Sequence, residues 1–124
     1  MPSYRVALNL GQLYHKNLTL LDSVGLLYCW LILDVEQPTF DASRPLLVSD
    51  RSHDDVPVAS SYEFRVLCAY SRHILQGMVR VSADSDNRDV LASAFDDGKG
   101  GSTIVLLNRS VTAQHVSVQW PGTQ

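Results

Sequence analysis

Few side chains in this sequence could do chemistry, and their spacing narrows the options further. Glutamate occurs only twice, at Glu36 and Glu63. Asp84, Asp86, Asn87 and Asp89 place four oxygen-rich side chains within six residues. Hard cations such as calcium take oxygens of this kind, while aspartate and asparagine are equally ordinary turn residues. The run lacks the full spacing of an EF-hand loop, so calcium on these four residues stands as a candidate beside a plain turn. His15, His53, His73 and His115 show no metal-ligand spacing. His53 beside Asp54 and Asp55 could imitate a base and its orienting acid. No serine or cysteine sits in a nucleophile motif, and a solvated loop accounts for the trio. Gly98-Lys99-Gly100-Gly101 lacks the glycine pattern and the following helix of a phosphate-binding loop.

The elements that must position these groups belong to a chain of 124 residues, a length that suits one domain able to bury a core without metals or disulfides. Apolar residues make up 45% and charged residues 19%, which is a globular balance rather than a disordered one. The net charge of −3, with basic residues scattered, argues against a nucleic-acid partner. The longest apolar run, residues 24–33, is too short to span a membrane. Cys29 and Cys68 both lie inside apolar runs and read as two buried thiols rather than a disulfide. The N-terminus lacks a secretory signal, which is expected of a fragment or of a chain whose start lies upstream. Two glycosylation sequons, at Asn17 and Asn108, matter only in a secreted eukaryotic chain.

Three zones follow one another. In residues 1–35, Val6, Leu10, Leu13, Asn17 and Leu21 keep helical spacing, while Tyr4, Val6, Leu8 and Leu10 alternate as in a strand. Residues 26–35 carry Tyr28, Trp30 and Ile32 at period two with Leu27, Cys29, Leu31 and Leu33 between them, the pattern of a strand buried on both faces. Residues 36–61 are polar and proline-bearing, with one short strand at 45–48. A helix then begins after Ser60-Ser61, with serine as N-cap and Glu63 three residues past Ser60 as in a capping box. Phe64, Leu67, Tyr70 and Ile74 give it an apolar stripe, and Gly77 ends it. Apolar runs at 78–81, 90–95, 103–107 and 116–120, separated by Asp, Asn, Gly and Ser, predict a meander of antiparallel strands.

Residues 62–81 carry an aromatic-rich helix, then Ser71-Arg72, then Gly77-Met78-Val79-Arg80-Val81. This resembles glycoside hydrolase family 30 enzymes, where the last barrel helix leads into an accessory β-domain. Gln76 stands where that family often has proline. Ala94-Phe95 and Leu107-Asn108-Arg109 continue the resemblance, and residues 13–34 are more weakly similar to the end of the barrel. The resemblance implies a mainly β fold: one antiparallel, jelly-roll-like β-sandwich over residues 1–124 with one or two short helices. Residues 1–35 would form its barrel-end-like segment and residues 62–122 its accessory-domain-like segment. It also implies secretion with a parent enzyme. Retaining hydrolysis needs two carboxyl groups flanking the scissile bond. Neither Glu36 nor Glu63 matches a catalytic position of the family, so hydrolysis is not expected.

What remains is holding a sugar chain. A pyranose ring lays its C–H bonds on an aromatic face while nearby polar groups bond its hydroxyls. Tyr28, Trp30, Tyr62, Tyr70 and Trp120 are the candidates, each with a plain core role as the competing reading. The expectation is a non-catalytic carbohydrate-binding module for cellulose or a related β-glucan, with calcium as the one candidate cofactor. The alternative is a truncated C-terminal piece of a glycosidase with a structural role only. The expected partners are a polysaccharide, and either a second copy through an edge strand or a glycosidase barrel. Neither nucleic acid nor a membrane is among them.

Overall fold

The computed structural model describes residues 4–29, 31–34, 45–51 and 58–120. Along the chain run α1 (Tyr4–Thr19), β1 (Ile32–Asp34), β2 (Leu47–Ser49), β3 (Val58–Ser60), α2 (Tyr62–Ser71), β4 (Val79–Val81), β5 (Val90–Asp96) and β6 (Ser102–Asn108). Among the described residues, two helices and two three-stranded sheets make this a small α/β protein. The expected mainly β sandwich is therefore wrong. The meander of the second sheet is present, but what packs on it is a pair of helices rather than another sheet.

The first sheet pairs β1 parallel to β2, with Ile32 opposite Leu47, and β2 antiparallel to β3, with Val48 opposite Ala59. The predicted strand at 45–48 is thus present, shifted by about one residue. The second sheet is a meander of order β4-β5-β6, with Arg80 opposite Phe95 and Ala92 opposite Leu106. Its β5–β6 turn is built by aspartate. The Asp97 carboxylate accepts from the backbone N–H of Lys99 at 2.7 Å and of Gly101 at 2.8 Å. Gly98 and Gly100 take φ of +70° and +94°, a region that side chains with a Cβ avoid.

Period two divides the second sheet into two faces. Leu91, Ser93 and Phe95 of β5 share a face with Val105 and Leu107 of β6, and the helices pack there. Gly11 of α1 is the point of closest approach. A Cβ at that position would lie 3.1 Å from Leu107 Cδ1 and 3.5 Å from Val66 Cγ1 of α2. The α1 face turned inward is accordingly Ala7, Gly11 and Tyr14, not the stripe of Val6, Leu10, Leu13, Asn17 and Leu21 that hydrophobicity alone picks out. Small residues let the three elements meet, and Leu13 and Leu21 are left exposed.

Tyr70 locks the helix pair. Its hydroxyl donates to the Gly11 carbonyl at 3.2 Å in a buried setting, and its ring meets Tyr14 edge-on at 5.5 Å. The sheet's edges are tied to the helices by Arg80, which forks onto the Asp22 carboxylate at 2.8 and 3.0 Å, and by Thr103, whose hydroxyl donates to His73 O at 2.8 Å. The α2 N-cap is Ser61, with its hydroxyl accepting from Phe64 N at 3.1 Å. Ser60 belongs to β3, so the capping box closing on Glu63 does not form. Glu63 turns inward and is buried instead, with neither carboxyl oxygen hydrogen-bonded.

Three further expectations need correction. Residues 26–35 are not a strand buried on both faces. Only Ile32–Asp34 is a strand, and Leu27 is fully exposed, with Leu31 and Ile32 largely so. The helices stack on the second sheet, leaving this run without the cover its composition calls for; Trp30 and Val35 fall outside the described residues. Residues 116–120 are not a strand and pair with none among the described residues. Cys29 and Cys68 are free thiols as read, but Cys29 is exposed and Cys68 half-buried.

Candidate binding groove

The face of the second sheet turned away from the helices forms the floor of a cleft. Val90, Ala92 and Ala94 of β5 with Ile104 and Leu106 of β6 supply an apolar surface of small and branched side chains. Residues 115–120 run alongside as one wall, and residues 82–87 form a polar rim. The space enclosed is about 970 Å³, at the large end of the range for small-molecule sites. Trp120 closes one wall, half-buried.

The wall is held to the rim by side-chain hydrogen bonds. Asn87 Nδ2 donates to Gln114 Oε1 at 2.9 Å, and Gln114 Nε2 donates in turn to Ser110 Oγ at 3.0 Å. Arg109 N donates to Asp89 O at 2.7 Å, drawing the chain after β6 against the loop before β5. Alternation in 116–120 was visible in the sequence. The bond between Asn87 and Gln114, just before that segment, was not. No short-range pattern links residues 27 positions apart.

The five aromatic candidates go to different places. Trp120 is in the groove. Tyr70 is core, and burial pushes its phenol up to about 12. Tyr62 is exposed on the first turn of α2, edge-on to Tyr4 at 5.9 Å and beneath the Arg65 guanidinium at 5.6 Å. Tyr28 is half-buried near Tyr14, whose phenol is raised by burial first and by Tyr28 second. Trp30 lies outside the described residues. Among the described residues, Tyr28, Tyr62, Tyr70 and Trp120 are not brought together into one platform.

Asp84, Asp86, Asn87 and Asp89 do lie in a loop, between β4 and β5. Asn87 is committed there: its Oδ1 accepts from Asp89 N at 2.9 Å, and its N–H donates to Ser85 Oγ at 3.3 Å. Among the described residues, no three His, Cys, Asp or Glu side chains gather closely enough to hold a metal ion. What the loop does contribute is charge. Asp84 and Asp86 on the rim, with Asp96 at the end of the floor, set three carboxylates around the groove against one imidazole, His115, and no lysine or arginine. His115, Gln119 and Asp96 were not singled out from sequence. Their types are common, and only the fold gathers them.

Glu63 is the one glutamate among the described residues, and it is buried in α2 away from the groove lining. No described helix is long and apolar enough to cross a membrane. Comparison with family models, curated proteins and solved structures finds no match to this chain.

Proposed function

We propose that this chain is a non-catalytic carbohydrate-binding module that holds a β-glucan-type polysaccharide, cellulose or a relative, along the groove beneath Trp120. The observation that carries the reading is the composition of that groove. An indole edges an apolar floor, and Asp84, Asp86 and Gln119 border it with hydroxyl-bonding groups. Sugar rings need both kinds of surface. The resemblance of residues 62–109 to glycoside hydrolase accessory domains points the same way.

The test is retention on insoluble cellulose and affinity for soluble β-glucans, measured on the native chain and on Trp120→Ala. Binding that weakens at least tenfold in the variant supports the reading. No binding to any glucan by the folded native chain would remove it.

A specific observation favours a second reading, a structural piece that packs on a glycosidase barrel. Leu20, Leu21, Val24, Leu27, Leu31 and Ile32 are six large apolar side chains within 13 positions, all exposed. Contiguous apolar surface of this sort is normally covered by another protein surface. Self-association that a barrel domain supplied in trans reverses, without glucan binding, would select it.

A further inference from the structure

The groove's charge points to a narrower ligand than a neutral glucan. Three carboxylates border it, from Asp84, Asp86 and Asp96, with no lysine or arginine in its lining. Asp96 is braced, accepting from Gly98 N at 2.6 Å and from Ser102 Oγ at 3.3 Å, so its charge is fixed at the end of the floor. Asp84 and Asp86 make no ion pair among the described residues. Arg80 belongs to the opposite face of the sheet, where it is paired with Asp22. Arg88 and Arg109 stay off the lining, held to each other through Arg109's guanidinium and the Arg88 carbonyl. A concave, apolar-floored cleft bordered by one sign of charge concentrates ligands of the opposite sign and rejects those of its own.

Resting on the reading that this groove is a glycan site, we propose that it selects β-linked chains of amino sugars, whose ring carries an ammonium in place of a hydroxyl, over neutral glucans and against uronate chains. The aromatic wall and apolar floor take the pyranose faces common to all three. The carboxylates add attraction for the ammonium groups and repel carboxylates on the ligand.

The decisive experiment compares four β-1,4-linked or related hexamers by calorimetric titration at pH 5.5 and low salt: glucosamine, N-acetylglucosamine, glucose and galacturonate. The glucosamine hexamer is expected to bind about tenfold more tightly than the glucose and N-acetyl hexamers, with the galacturonate hexamer not binding. The preference should shrink as salt rises toward 1 M. In the Asp84→Asn/Asp86→Asn double variant, checked for an unchanged melting temperature, the tenfold margin of the glucosamine hexamer over the glucose hexamer should collapse. Equal binding of the glucosamine and glucose hexamers, indifferent to salt and to the double variant, would overturn the proposal and leave the glycan site standing. Failure of every hexamer to bind would overturn both.

Discussion

The Tyr70 hydroxyl offers a quantitative probe of the helix pair that supports the groove. Its phenol is buried between α1 and α2 and pushed from the ordinary 10 up to about 12 by loss of solvent. A group whose native pKa lies above its unfolded value contributes stability that is complete below pH 10 and falls as pH rises toward 12, because the unfolded chain gives up the proton first. At pH 11, one unit above the unfolded value and one below the native one, the loss attributable to Tyr70 is about 1.4 kcal/mol, and above both it approaches about 2.7 kcal/mol. Tyr14 adds to the alkaline loss in the same direction, since its phenol is also raised. Urea unfolding at pH 9 and pH 11 measures the sum, and Tyr70→Phe isolates the Tyr70 share. The variant should be less stable than the native chain by about 1 kcal/mol at pH 9, having lost the bond to Gly11 O. It should then lose about 1.4 kcal/mol less between pH 9 and pH 11. An alkaline loss identical in the variant and the native chain would refute the placement of that hydroxyl, and with it the packing of α1 on α2.

Other outcomes follow from the same packing. His15 is lowered by burial first and by Arg109 second, so its contribution is complete above about pH 6.5 and is lost as pH falls through the lowered value; His15→Leu should flatten the acid limb of a stability–pH curve. Gly11→Val should lower the melting temperature, because a Cβ already approaches Leu107 to 3.1 Å and branched methyls cannot be accommodated. Ser61→Ala should cost about 1 kcal/mol in denaturant unfolding through loss of the α2 cap. Glu63→Met should raise stability by about 1 kcal/mol or more, since it replaces a buried carboxyl that has no hydrogen-bond partner.

What could be read from sequence divides along a physical line. The β4–β5–β6 meander was legible because each of its turns is written locally: Asp and Asn before β5, and an Asp-Gly-rich connection between β5 and β6. The helix at Tyr62 was legible for the same reason, apart from which of two adjacent serines caps it and where it stops, at Ser71 rather than just before Gly77. What failed depends on contacts distant in sequence. Hydrophobicity chose the wrong face of α1 because Gly11 and Ala7 face inward for their smallness, which counts only once Leu107 is known to lie opposite. Residues 26–35 read as buried because apolar runs are usually covered, yet the helices cover the other sheet. The sandwich expectation failed at residues 116–120, where alternation looked like a strand but the segment joins neither described sheet. Trp120 was chosen for its type, and the fold supplied the cleft that gives it a purpose.

The central claim is that a glycan lies in the groove against Trp120. It is tested most directly in a Trp30→Phe chain, where Trp120 is the sole indole. Its emission is followed while glucose and glucosamine hexamers are titrated in. The account predicts a saturable change in Trp120 emission, with a midpoint matching the calorimetric affinity of each hexamer. Emission that stays constant through ligand concentrations that saturate calorimetric binding, or an absence of both signals, would contradict it.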